Sequence, residues 1–337
     1  MKNRILIYSK FMKDASTMSE QIEMYMLKRG LFDTSFVLTN NFDDFQYSCM
    51  DALIHGGNIV AICENSKIDE LCETLKEEKY KISIVNEQAI LFEEKEEKLE
   101  KTKMLLLPAE LSFRNFLDSF FPQKSSFVCS IFGKGEKFVF DEFSKLKTSY
   151  DMDFKILSEN PFLHKVFYSK FVDEQVLKNQ FGESLYSFRD ENLEEKLAKL
   201  LNEKGLNISI AENKTCGQLF SLIASVCSDK IVKTNVLQNK QDFLDMGVNL
   251  DGSESLENKE IVYLLAKNML EKTKSNLTVC AIQTNSNENE KKCFVAVGNK
   301  DSLNLFSSVF FGSQKEVVEC LVEFAIFKLI DFIQTNY

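Results

Sequence analysis

Short apolar runs alternate with stretches whose apolar positions recur every three or four residues through the first eighty positions of the chain. Arg4-Ile5-Leu6-Ile7-Tyr8 predicts a buried strand, and Met18 to Arg29 a helix closed by Gly30, a residue suited to the left-handed turn that ends helices. The alternation then repeats: a strand at Ser35-Phe36-Val37-Leu38, a helix over Asp43 to Ile54, a strand at Asn58 to Ile62 and a helix over Ile68 to Glu78. Strands and helices in strict alternation imply a mostly parallel sheet covered on both faces.

A mixed-charge run, Glu93 to Lys103, reads as a solvated loop or helix face. It leads into Met104-Leu105-Leu106-Leu107-Pro108, a buried strand stopped at proline. From about Gln123 to Ser187 the pattern is of short β-rich runs (Ser126 to Ile131, His164 to Tyr168) with one helix, Asp173 to Gln180, which suits a small α+β domain. The remainder opens on an amphipathic helix, Leu193 to Glu203, ended at Gly205. It continues with a strand (Asn207 to Ala211), a helix (Gly217 to Val226), a helix over Lys259 to Glu271, strands at Leu277 to Gln283 and Cys293 to Val297, and a helix over Lys315 to Ile333. The predicted architecture is two three-layer α/β domains, 1–123 and 189–337, joined by a small α+β domain at 124–188.

Composition narrows the function classes. A length of 337 residues suits two or three domains, and 44% hydrophobic residues, 30 of them Phe, supply the cores. The net charge of −10 opposes binding to phosphate backbones, so direct nucleic-acid binding is not expected. Nine scattered Cys without a CxxC pair fit reduced core thiols, and the N-terminus carries no signal-like apolar segment, so a cytoplasmic protein is expected. The apolar stretch Val317 to Ile333 is interrupted by Glu319, Glu323, Lys328 and Asp331, a polar stripe that predicts a core or subunit-interface helix and no membrane span. Two distant His, His55 and His164, cannot build a usual metal cluster, and His164 reads as a satisfied structural residue.

The stretch Glu194 to Glu212 runs through a helix, Gly205 and a strand into Ala211-Glu212-Asn213-Lys214-Thr215-Cys216-Gly217. This segment resembles the opening of the C-terminal domain of the CinA (competence/damage-inducible) family, whose motif is A-E-S-C-T-G-G; four of seven positions agree. Phe132-Gly133-Lys134-Gly135-Glu136 is similar to the family's F-G-I-G-E, Leu106-Leu107-Pro108 to its L-L-P-G-P, Asn239 with Gly247-Val248 to Y-S-N-E-A-K and the following G-V, and Phe310-Phe311-Gly312 to F-x-G. The resemblance reaches over nearly the whole chain. It implies a molybdopterin-binding-like N-terminal domain of the MoaB/MogA kind, a connecting domain and an amidohydrolase-like C-terminal domain that acts on nicotinamide mononucleotide.

Amide hydrolysis needs an activated nucleophile, a proton acceptor and donors for the oxyanion. By the resemblance the nucleophilic Ser position is Asn213, the Tyr and Lys of Y-S-N-E-A-K fall on Leu237 and Asp242, and the phosphate-holding D-R falls on Ser313-Gln314. The Gly-rich G-I-A-G-P loop is replaced by Thr284 to Asn289, without glycine. A register slip would bring in Ser228, Lys230, Lys233 or Lys240. Losing a nucleophile that acts within a catalytic unit can cost roughly a millionfold, on the order of 8 kcal/mol.

In the N-terminal domain the family's G-D-E becomes Ser9-Lys10-Phe11 and its acidic stretch contracts to Cys63 to Glu70. Asp69 and Glu70 are left as candidates for a divalent cation, against the alternative of a solvated helix N-terminus. Cys216, heading a helix, is an alternative nucleophile.

The expectation is a CinA-like protein with impaired or absent catalysis, requiring no cofactor and acting as a homo-oligomeric binding or scaffold module. Glu212, Asn213, Thr215, Gly217, Asn239 and Gln314 are the ligand-binding candidates for a nucleotide. The alternative is residual nicotinamide-nucleotide amidohydrolase or ADP-ribose pyrophosphatase activity.

Overall fold

The computed structural model describes residues 3–75, 80–85, 89–94, 102–109, 113–121, 124, 126–250, 258–285 and 290–337. The chain divides into two compact units, the first formed by 1–128, 143–156 and 166–172, the second by 129–142, 157–165 and 173–337.

The first unit begins with β1 (Asn3–Tyr8), α1 (Met12–Lys28), β2 (Thr34–Thr39), α2 (Phe42–His55), β3 (Asn58–Cys63) and α3 (Ile68–Thr74). It continues with β4 (Tyr80–Val85), β5 (Ala89–Glu94), β6 (Lys103–Pro108) and α4 (Phe113–Phe120). The sheet order is β2-β1-β3-β6-β5-β4. β2, β1, β3 and β6 are parallel, as the alternation predicts, whereas β5 pairs antiparallel with β6 and β4 antiparallel with β5.

Strand alternation splits the core by parity. Ile5, Ile7, Val60, Ile62, Leu105 and Leu107 pack toward α1 and α4, while Leu6, Ile59, Ala61, Met104 and Leu106 pack toward α2 and α3. This is the three-layer arrangement. α1 starts six residues ahead of the predicted Met18, and the described part of α3 ends at Thr74; residues 76–78 of the prediction, like 95–101 of the charged run, lie outside the described residues.

Next come β7 (Phe127–Phe132), α5 (Glu136–Tyr150), β8 (Phe154–Asn160), β9 (Leu163–Tyr168), α6 (Glu174–Phe181) and β10 (Leu185–Ser187). These strands form a four-stranded sheet in the order β10-β7-β9-β8. α5 is not among the elements expected from the sequence pattern. Its helical spacing shows in the burial of Val139, Phe143 and Leu146.

The last part of the chain contains α7 (Leu193–Lys204), β11 (Ile208–Asn213), α8 (Gln218–Cys227), β12 (Ile231–Leu237), α9 (Lys240–Asp245) and α10 (Asn258–Thr273). β13 (Leu277–Asn285), β14 (Glu290–Gly298), β15 (Leu303–Phe311) and α11 (Gln314–Asn336) complete it. α7 ends where Gly205 takes φ 63° and the amide of Leu206 donates back to Leu201, the left-handed stop that glycine makes without strain.

The five-stranded sheet has the order β12-β11-β13-β14-β15, its first three strands parallel and its last two antiparallel. Ile208, Ile210, Val279, Ala281, Val295 and Val297 face α7, α8 and α11. Ala211, Leu237, Cys280, Ile282, Phe294 and Ala296 face α9 and α10. Both sheets thus carry helices on two faces. The stripe on α11 is less solvated than its charges suggest, with the Lys328 and Asp331 side chains only 14% and 26% exposed. No helix among the described residues is long and apolar enough to cross a membrane.

Candidate functional site

In an open α/β sheet the natural ligand position is beyond the carboxyl ends of neighbouring strands whose connections leave to opposite faces. β11 leads into α8 on one face and β12 into α9 and α10 on the other. The crevice between their ends is therefore the place to look, and Asn213 and Leu237 are its register partners.

The Asn213 side chain spans that crevice, its Nδ2 donating to the Leu237 carbonyl at 2.7 Å. Leu237 itself is 2% exposed and belongs to the core under α9 and α10. Beside it, the fully buried Glu212 points at the start of α8. Its carboxylate accepts from the Thr215 hydroxyl and from the amides of Leu219 (3.0 Å) and Phe220 (3.1 Å). A negative group at a helix N-terminus satisfies amides that have no partner within the helix. Glu212 and Thr215 thus hold the turn instead of facing solvent.

The turn is sharply curled: Lys214, Cys216 and Gly217 have φ of 61°, 55° and 82°. Two non-glycine residues in the left-handed region are uncommon so close together, and such backbone persists only where the surroundings impose it. Gly217 precedes α8 in this conformation without a Cβ penalty. The Cys216 thiol is exposed, whereas seven of the other Cys are buried and none of the nine is in a disulfide.

The positions singled out by the resemblance to Y-S-N-E-A-K also serve the fold. Asn239 caps α9, its Oδ1 accepting from the Gln241 and Asp242 amides, and Asp242 answers by accepting from the Gln238 (2.6 Å) and Asn239 (2.9 Å) amides. Those two backbone donors hold the Asp242 carboxyl below its usual range. Gln314 and the buried Gln283 exchange a reciprocal pair of amide hydrogen bonds at 2.9 and 3.1 Å. Gln283 carries no sequence signal, since its partner is 31 residues away.

The sequence-derived candidates therefore divide. Glu212, Asn213, Thr215, Gly217 and Leu237 gather at one strand end, and Asn239 and Asp242 form a capping box. Asp69 and Glu70 occupy the first turn of α3, with Glu70 paired to Lys67 at 2.7 Å. Among the described residues no three His, Cys, Asp or Glu side chains converge to hold a metal. Of the alternative bases, Lys230 pairs with Asp229, and Lys233 stands midway along β12. His164 is fully buried and satisfied, with Nδ1 at 2.9 Å from Ser158 Oγ and Nε2 at 2.8 Å from the Lys134 carbonyl. Part of the loop that replaces the Gly-rich segment, 286–289, lies outside the described residues.

Two hollows lie elsewhere. A cavity of about 390 Å³ between α8 and α11 is lined by Gln218, Ser221, Leu222, Glu319, Val322 and Glu323. Another, of about 250 Å³, is walled by Phe132, Phe162, Phe310, Phe324 and Phe327. Asn213 lines neither.

No family model and no curated protein matches the chain. Several solved structures are similar to it, all competence/damage-inducible (CinA) proteins. One is a competence or damage-inducible protein from Enterobacter asburiae (18% identity, 41% of this chain and 94% of that one, TM-score 0.37). A CinA superfamily protein from Escherichia coli shows 18% identity over 43% of this chain and 93% of its own, with TM-score 0.37. The competence damage-inducible protein A from Klebsiella pneumoniae shows 15% identity over 44% and 100%, with TM-score 0.39. These matches extend over less than half of the chain, a shorter reach than the motif resemblance.

Proposed function

We propose that the chain is a CinA-like protein that has kept the layered frame and given up amide hydrolysis, and that it works in the cytoplasm as an oligomeric binding or scaffold module. In this reading the chain has three domains, at 1–123, 124–188 and 189–337.

One observation carries the proposal. At each position where the resemblance requires chemistry, the side chain is committed to its own fold: Asn213 to the Leu237 carbonyl, Leu237 to the core, Asp242 to its capping box and Gln314 to Gln283. A neutral amide cannot form an acyl intermediate, and a capping carboxylate cannot be freed for proton transfer without uncapping its helix. Nucleotide binding without turnover is compatible with the same frame.

Residual amidohydrolase or ADP-ribose pyrophosphatase activity is the competing reading. The curled turn at Lys214 and Cys216 favours it, since backbone strain concentrates at working sites. Ammonia release from nicotinamide mononucleotide, measured on purified full-length protein, separates the two. Release no faster than the uncatalysed reaction is expected. Sustained turnover that disappears in Cys216→Ala or Asn213→Ala would overturn the non-catalytic reading.

A further inference from the structure

β15 is, among the described residues, the edge of its sheet. Among the described residues its nine positions pair with β14 alone, from Leu303 opposite Gly298 to Phe311 opposite Glu290. Every second residue therefore turns its main-chain N–H and C=O outward, and such a row is a template for another strand. Natural edges are blunted by charge, proline or a bulge. Leu303–Phe311 reads LNLFSSVFF, with no charged residue and no proline, and its register against β14 runs without a shift. On the face shared by odd-numbered residues, Leu305, Val309 and Phe311 are 40%, 37% and 70% exposed, and Ser307 between them is exposed as well.

The sequence of the strand selects its partner. Antiparallel pairing of β15 with its own copy about a two-fold axis through Ser307 sets Leu305 against the partner's Val309 and Leu303 against the partner's Phe311. Ser307 meets its own counterpart on the axis. Every apolar residue of the exposed face thereby meets an apolar residue. Moving the axis to Ser308 would set Val309 against the partner's Ser307, and moving it by half a residue would invert the two faces. A foreign strand gains nothing from this symmetry, whereas a second copy satisfies it twice.

We propose that two copies of this chain associate through β15, antiparallel and centred on Ser307, joining two five-stranded sheets into one continuous sheet. The proposal rests on the oligomeric reading above and supplies its surface.

The test uses full-length protein in sedimentation and cross-linking experiments. Wild type is expected to sediment as a dimer at micromolar concentrations. Ser307→Lys sets two ammonium groups opposite each other on the axis and is expected to raise the dissociation constant about tenfold or more, with an unchanged circular dichroism spectrum. Ser307→Cys should form a 307–307 disulfide under mild oxidation, identified by peptide mass spectrometry, because directly opposed residues in an antiparallel pair lie within disulfide reach; Asn304→Cys should not link to itself.

A monomeric wild type, a dimer indifferent to Ser307→Lys, or an absent 307–307 link overturns the proposal. A dimer that ignores Ser307→Lys leaves the scaffold reading intact, since another surface then joins the copies. Ammonia release would overturn the non-catalytic reading and leave the β15 dimer standing.

Discussion

Glu323 shows what a single residue can do to this molecule. It sits on α11, where burial pushes its carboxyl up to about 7; Glu159, Glu319 and Glu194 reinforce the shift, and the Asn160 amide, 2.6 Å away, opposes it. A folded-state value above the usual 4.5 means that the native protein holds the proton more tightly than the unfolded chain. The stabilisation is fully present below about pH 4.5 and is lost as pH rises through about 7. Glu323→Gln keeps an acceptor for Asn160 and removes the titration. It is expected to flatten the fall in melting temperature between pH 5 and pH 8 and to stabilise the protein by roughly 2 kcal/mol at the upper end. A mutant whose melting temperature tracks wild type across that range would remove Glu323 as the source.

Individual elements depend on similar local bonds, and α8 is the clearest case. Glu212 supplies acceptors for the hydroxyl of Thr215 and the amides of Leu219 and Phe220, all at the buried start of the helix. Glu212→Ala strands these donors and should cost about 3 kcal/mol in urea unfolding, with faster amide exchange confined first to α8; Glu212→Gln should cost less, since one oxygen remains. Equal losses for the two variants would show that packing, not capping, holds the turn.

Element legibility followed the same local logic. α7 was readable from its apolar spacing and Gly205, and α11 from Val317 to Ile333, because burial on one continuous face writes a period into the sequence. β12 and β15 left no such trace. Among the described residues they are sheet edges, so residues such as Lys233 and Ser307 meet solvent and interrupt the apolar run.

For the whole molecule, Gln314, committed to Gln283 where the resemblance sets a phosphate-holding arginine, predicts weak binding of nicotinamide mononucleotide. Nicotinamide mononucleotide in millimolar excess should leave the melting temperature within about 1 °C of the unliganded protein, because stabilisation by a ligand grows only as RT ln(1 + [L]/Kd). A rise of several degrees would establish a retained nucleotide site. Sequence alone determined the alternation of strands and helices, the mostly parallel sheets covered on both faces and the residue types at Asn213, Leu237, Asp242 and Gln314. These are local facts: periodicity reports burial, and residue type limits what a side chain can do. Only tertiary structure decided where those side chains spend their hydrogen bonds, that Asn213 bridges to Leu237 and Gln314 to Gln283, and that β15 ends its sheet. Such pairings join residues 24 or 31 positions apart through strand order, and strand order depends on which long-range contacts bury the most surface together, a property that no local window of sequence contains.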